Sequence, residues 1–293
     1  MPWTNYHSHS HYCDGVHAPE RYVAEAIERE FCAWGFSSHA PVPFACKWTM
    51  PEDRLDEYLN EVSDLKRTYE ERIQLYAGLE VDFVPGITGP ARLRALAPSL
   101  DYLIGSVHFV DAFADGTPWE IDGRHELFLE GLHQIFGGNI EQAIERYYAL
   151  ITEMVETDAP DVVGHLDKII IQNEGGALFT GKEAWYQAAV RRTLGIIKEK
   201  DLIVEVNTRG MYKGLIKEPY PAQWMLREMA AMQIPITLSS DAHHPREING
   251  AFPETAQMLR EAGFHDLHIL YDGVWQAFPF DRWGVRVGTP VHS

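Results

Sequence analysis

Residues 5–15 read NYHSHSHYCDG, with histidines at positions 7, 9 and 11. On an extended strand, side chains two apart share a face. His7 and His9 can therefore grip one cation while Ser8 faces the other way, and His11 joins them only if the strand continues. Residues of the same kind recur at the ends of short apolar runs: His39 in FSSHA, Glu80 in GLEVD, His108 in GSVHF, His165 in GHLD, and Asp241 with His243 in SSDAHH. Taken singly, each fits a surface, capping or hydrogen-bonded core residue. Taken together they point to a polynuclear metal centre, because burying so many ionisable groups side by side is costly unless cations occupy the space between them. Mixed imidazole and carboxylate donors suit zinc, manganese or iron alike. Two such ions can activate a shared water and offset charge on phosphoryl oxygens. Beside them, Arg209 of EVNTRG can hold two phosphate oxygens at once. Lys168 of GHLDKI reads equally as a phosphate contact or an exposed rim lysine. Asn207 reads as a strand-end hydrogen-bonding group near the same oxygens, and Asp241 can also relay a proton.

The elements that must position these residues follow from hydrophobic period. Helical spacing of apolar residues marks 20–31, 54–72, 139–156, 182–200, 221–233 and 254–262, with Asn139 and Gln142 placed as in a capping box. Short apolar runs between them predict strands at 3–9, 33–38, 73–81, 102–109, 161–165, 202–207 and 236–240, with a possible eighth at 267–272. Alternating strands and helices imply a parallel sheet, and seven or eight units in 293 residues favour a TIM-like barrel. Active sites in such barrels form at the carboxyl ends of the strands, where the dispersed ligands would converge. With no linker and no repeat, the chain is expected to be one domain, 1–293. The segment 110–138 is too long for a plain connection, so it is expected to be a lid or binding loop. There Trp119 would wall an aromatic leaving group and Asp122 or Glu120 would meet a cationic one, unless these residues only fasten the loop to the barrel.

Composition sets the limits. With 45% apolar and 23% charged residues, the chain can bury a large core. A formal charge of −18 argues against nucleic acid as a partner and makes bound cations attractive. No apolar run approaches the roughly 20 residues of a membrane span, so a soluble, cytoplasmic protein is expected. Cys13, Cys32 and Cys46 are odd in number and lack CxxC spacing, which suggests neither a disulfide framework nor a cysteine zinc site. His125, His133, His265, His268 and His292 read as structural, and His244 as pointing away from the ions beside His243.

HxH, then CDG, the lone His39, Glu80, IGSVHF, GHLD and SSDAH, in this order across nearly the whole chain, resemble the polymerase and histidinol phosphatase (PHP) superfamily. IGSVHF and EVNTRG resemble its histidinol-phosphate phosphatase branch. The resemblance implies a distorted (β/α)7 barrel with two or three divalent ions, zinc, manganese or iron, that hydrolyses phosphate esters. It implies one ion on His7, His9, Glu80 and Asp241 and a second on Glu80, His108 and His165, bridged by Glu80. A third would use His39, His243 and a residue of the first loop. Gly15 stands where a common version of the pattern has a histidine, so Asp14 is the expected replacement, with His17 as the alternative. Asp241, Glu80 and His243 are then the catalytic residues; Arg209, Lys168, Asn207 and Asp122 are the substrate contacts. L-Histidinol phosphate is the expected substrate, since the branch motifs and the acidic surroundings both suit its amine and imidazole. The alternatives are a nucleotide, sugar phosphate or phosphotyrosine ester, or a non-catalytic module serving a polymerase. Oligomeric state is left open by the sequence.

Overall fold

The computed structural model describes residues 1–288, so His292 lies outside the described residues. The described strands are β1 (Thr4–Asn5), β2 (Ala33–Phe36), β3 (Gln74–Asp82), β4 (Tyr102–Ser106), β5 (Phe109–Ala112), β6 (Pro118–Glu120), β7 (Val162–Val163), β8 (Ile203–Asn207), β9 (Ile236–Ser239), β10 (Asp266–Tyr271), β11 (Val274–Asp281) and β12 (Gly284–Val285). Seven of them form one parallel sheet in the order β1-β2-β3-β4-β7-β8-β9. Its first and last strands meet: Ser8 bridges to Ala242, and the His9 amide donates to the Ala242 carbonyl at 2.8 Å. The Ser240 amide donates to Asn5 Oδ1 at 2.8 Å. The result is a nearly closed seven-stranded barrel, the expected distorted (β/α)7 fold.

Helices fall between the strands because their apolar residues repeat at three and four. Leu55–Tyr69 buries Leu55, Tyr58, Val62 and Leu65, and each such side chain contributes about 1.5–3 kcal/mol when fully buried. Pro19 opens Pro19–Glu28, where its missing N–H costs nothing. Asn139 caps Ile140–Thr157 by accepting from the Gln142 amide at 3.2 Å. Among the described residues, no helix is long and apolar enough to cross a membrane.

The amino-terminal end of the barrel is filled by aromatics. Tyr102 donates its hydroxyl toward the carbonyl oxygens of Tyr6 and Phe36, at 2.5 and 3.0 Å. Trp275 packs against Tyr6 and Tyr102 from the antiparallel β10-β11-β12 sheet, and Tyr6 donates to the Leu270 carbonyl at 2.8 Å. The run at 267–272 is therefore not an eighth barrel strand. Its burial is mixed, with Asp266, His268 and Tyr271 only half-buried, whereas β2, β4, β8 and β9 are buried at every position, as expected for a sheet covered on one face only.

The segment 110–138 is ordered into elements that its mixed composition hides. β5 and β6 form an antiparallel hairpin, followed by the helix His125–Phe136, which Gly137 ends at φ 60°. Trp119 lies buried beneath that helix against Phe128 and Phe136. It does not reach the cleft, and of its two expected roles it takes the one that fastens the segment.

Candidate metal centre

The expected ligands come from the ends of six strands and the first loop, and the barrel brings them together. His7 and His9 follow β1, His39 follows β2, Glu80 lies on β3, His108 follows β4, His165 follows β7, and Asp241 and His243 follow β9. Glu80 is the hub. Its Oε2 lies 3.1 Å from His7 Nε2, 3.0 Å from His39 Nδ1 and 3.6 Å from His9 Nε2, and its Oε1 lies 2.9 Å from His165 Nε2 and 3.6 Å from His108 Nε2. Asp241 Oδ1 is 3.1 Å from His9 Nε2. Asp14 Oδ2 is 3.3 Å from His243 Nε2, and Asp14 Oδ1 is 3.9 Å from His39 Nε2.

These donors suit cations rather than one another. His7 Nε2, His9 Nε2, His39 Nδ1 and Asp241 Oδ1 are buried and make no hydrogen bond of proper geometry despite their closeness. Among the described residues, three sets of donors have atoms within 4.8 Å of one another: His7, His9 and Asp241; His39, Glu80 and His108; and His9, Asp14, His39 and His243. Buried except at Asp14 and His243, donors whose lone pairs converge on shared space in this way are what a divalent cation completes. His17 stands apart, with its Nε2 3.3 Å from His244 Nε2, so the first-loop residue near His39 and His243 is Asp14. His11 is not among the converging donors.

Two carboxylates behind the cluster escaped the sequence reading. Glu205 Oε1 accepts from His7 Nδ1 at 2.6 Å, while its Oε2 accepts from the His165 amide at 2.9 Å and from Asn207 Nδ2 at 3.2 Å. Asp82 Oδ1 lies 3.0 Å from His108 Nδ1 and accepts the His108 amide at 3.1 Å. Such contacts fix the outer imidazole nitrogen as the donor and turn Nε2 toward the cluster. A signal was present in both cases: Glu205 interrupts the apolar run IVEV, and Asp82 stands two residues after Glu80 on one strand. Cys13 is partly buried as a small packing residue, with its Sγ 3.5 Å from His9 Nδ1 and its thiol pushed up to about 11, chiefly by desolvation.

The electrostatics follow from burial opposed by neighbours. Burial resists charging of His7, but Glu205, Glu80 and Asp241 outweigh it and hold the pKa well above the usual imidazole value. For His108, Asp82, Asp122 and Glu80 overcome burial and raise the pKa to about 10. His9, buried beside the His243 and His39 rings, is held well below its usual value. Burial would raise Glu80 and Asp241; His7, His39 and His108 around Glu80, and His7 and Arg209 around Asp241, keep both well below the usual carboxylate range.

A cleft of about 310 Å³ opens onto this centre. Arg209 lines it, with Nη1 donating to the Asp241 carbonyl oxygen at 2.8 Å and lying 2.7 Å from His243 Nδ1. Lys168 is buried in the cleft wall, not exposed at the rim; its Nζ is 3.8 Å from Asp122 Oδ2 and 3.9 Å from Asp241 Oδ2. Asp122 lines the cleft on this side. Asn207 does not, because its fully buried amide is committed to Glu205 Oε2, Asp241 Oδ2 and the Arg209 amide. Trp48 and Glu120 also line the cleft, with the Trp48 ring 4.5 Å from that of His39; nothing in the spacing of the 40–50 loop marks Trp48 in advance.

Known proteins resemble this chain in sequence and in fold. A Deinococcus radiodurans protein named "Probable histidinol-phosphatase" is 28% identical over 260 residues, covering 88% of this chain and 92% of its own. The histidinol-phosphatase of Bacillus subtilis is 27% identical over 245 residues, covering 79% and 89%. The fold matches that of histidinol phosphate phosphatase from Lactococcus lactis, solved with zinc, L-histidinol and phosphate, with a TM-score of 0.68 at 21% identity over 97% of this chain and 98% of that one. The PHP domain profile matches residues 5–209, which contain the HxH strand, Glu80, His108, His165 and Arg209, and with more than half its length so matched the chain belongs to the PHP domain family.

Proposed function

We propose that this chain is a metal-dependent phosphomonoesterase that hydrolyses L-histidinol phosphate to L-histidinol and inorganic phosphate, a step of histidine biosynthesis. The observation that carries the reading is one cleft lined by the clustered ligands, by the cations Arg209 and Lys168, and by Trp48 with the carboxylates Asp122 and Glu120. The names of the relatives of similar length agree with it.

His7, His9, Glu80 and Asp241, then Glu80, His108 and His165, then Asp14, His39 and His243, would hold two or three divalent ions, zinc, manganese or iron. When bound, such ions supply an activated water at neutral pH and offset charge on the phosphoryl oxygens. Arg209, anchored through Nη1, presents the rest of its guanidinium to the phosphate, and Lys168 adds a second positive charge. Asp241, kept ionised by its neighbours, takes a proton as water attacks phosphorus and returns it to the alkoxide as the P–O ester bond breaks. Glu205, Asp82 and Asn207 hold the ligands in orientation. The small cleft and the charge of −18 support a small phosphate ester rather than nucleic acid as substrate, in a cytoplasmic protein of one barrel domain covered by 110–138.

Phosphate release from a panel of L-histidinol phosphate, a nucleoside monophosphate, a sugar phosphate and a phosphotyrosine peptide tests this reading. The metal-loaded protein is expected to favour L-histidinol phosphate by about 100-fold or more in kcat/KM, and chelation should abolish release. Glu80→Gln should lower metal content and turnover together. Equal turnover of all esters would leave a phosphatase without this substrate, and retention of both metal and turnover by the Glu80 variant would remove the hub.

A further inference from the structure

Asp241 carries its carboxylate on a left-handed backbone, φ 53°, which is uncommon for a residue other than glycine and persists only where the surroundings fix it. The short helix Arg209–Tyr212 supplies that constraint on one carbonyl oxygen of Asp241: Arg209 Nη1 donates to it at 2.8 Å and the Tyr212 hydroxyl at 3.2 Å. Arg209 also lines the cleft. Among the described residues Tyr212 does not, so its hydroxyl has the ligand turn as its partner rather than anything bound in the cleft.

The far side of the same turn is held through the next residue of that segment. Glu247 Oε2 accepts the amides of His243 at 3.0 Å and His244 at 3.2 Å, and its Oε1 pairs with Lys213 Nζ. The segment is seated in turn: Thr208 Oγ1 donates to the Gly250 carbonyl oxygen at 2.7 Å, and the Tyr212 ring packs so close to Gly250 that a Cβ there would stand 2.5 Å from it. Gripped at one carbonyl and two amides, the turn has little room to swing Asp241 away from His9 or His243 away from Asp14.

We propose that Tyr212 and Glu247 are positioning residues: from outside the cleft they hold the 241–244 turn so that Asp241 and His243 stand ready for the cations. The inference rests on the reading of the chain as a metal-dependent phosphatase. It adds two residues that touch neither substrate nor ion and act through the backbone of the ligands.

The experiment titrates zinc into the metal-free parent, Tyr212→Phe and Glu247→Ala in competition with a chromophoric chelator. Urea unfolding of each metal-free protein, and kinetics on L-histidinol phosphate at limiting and excess zinc, are measured alongside. Tyr212→Phe keeps the ring and drops one hydroxyl, and should weaken one step of zinc binding about three- to tenfold. Glu247→Ala strips the acceptor from two amides and should weaken it about tenfold or more. The urea midpoint of Tyr212→Phe should stay parental. For both variants, kcat should fall at limiting zinc and recover at excess while KM stays unchanged, since neither side chain meets the substrate. Parental zinc affinity in either variant overturns the role of that residue. A loss that excess zinc does not restore, or a Tyr212→Phe loss matched by a lower urea midpoint, overturns the positioning role in favour of a merely structural one. If the parent binds zinc but releases phosphate from no ester, the phosphatase reading fails while the zinc titrations still decide the two roles. A parent that binds no zinc removes both.

Discussion

Glu205 shows how much of the metal centre depends on a residue that need not touch a metal. Its two oxygens face only donors: His7 Nδ1 on one, the His165 amide and Asn207 Nδ2 on the other. A glutamine there must aim its NH2 at one of these donor groups whichever way it turns, so Glu205→Gln should lose a charge and either the fixed tautomer of His7 or the acceptor for the His165 amide. Metal affinity is expected to fall about 10- to 100-fold, measured by competition with a chelator; unchanged affinity would show that His7 is oriented by other means. The converging ligands were legible in the sequence because each ends an apolar run, where a charged or imidazole group has no packing reason to be. Their supports were less so. Asp82 and Glu205 lie inside strands and look like isolated exceptions until the barrel places them behind His108 and His7. Trp48, in a loop without period, acquires meaning only from what it touches.

At the scale of elements, the strand and helix rhythm was readable because a buried parallel strand and a one-faced helix leave different periods in the sequence. Most strand limits came out shorter than the apolar runs, β3 excepted: β1 pairs with β2 only at Thr4 and Asn5, and beyond them the backbone of Ser8 and His9 turns to Ala242 while the two histidines enter the site. The segment 110–138 was unreadable because its hairpin is short and its helix buries a narrow stripe, Phe128, Gly131 and Leu132. Gly131 is where that helix crosses Trp119 most closely, and a Cβ there would overlap the indole ring. Gly131→Ala should therefore destabilise the protein by about 1–3 kcal/mol through overpacking. Because Trp119 precedes Glu120, which lines the cleft, KM for L-histidinol phosphate should also rise. Urea unfolding and steady-state kinetics on the variant read both effects, and normal values for both would mean that the helix shifts without moving the hairpin.

Across the whole molecule, charge is sorted by what burial does to it. The carboxylates of the centre are surrounded by cations and imidazoles and stay ionised. Asp167, two residues beyond His165, is equally buried and has no such company. Its Oδ2 accepts the Ala222 amide at 3.0 Å, which ties the end of β7 to the segment before Gln223–Met232, and its Oδ1 has no partner. Burial, aided by the charge of Glu218 and opposed by the Ala222 amide and its own, pushes its pKa up to about 7 from the ordinary 3.8. The sign is opposite to that of an ion-paired acid. Below about pH 4 both folded and unfolded chains hold the proton and the group is neutral in its effect. Between about pH 4 and 7 the unfolded chain ionises while the folded one keeps its proton, so the folded state binds more protons and stability declines as pH rises, by about 4 kcal/mol in all. Above about pH 7 both forms are ionised and the loss is complete. Asparagine keeps an oxygen for the Ala222 amide and cannot ionise. Relative to the parent, Asp167→Asn should gain stability steadily across that window and level off above it, whatever its offset at pH 4. Urea unfolding of both proteins at pH 4, 5.5, 7 and 8 reads the difference directly, and because the histidine cluster is common to both, its own titration cancels. A difference that stayed flat across the series would mean that Asp167 is already ionised in the folded protein at acid pH, with an unseen donor at Oδ1.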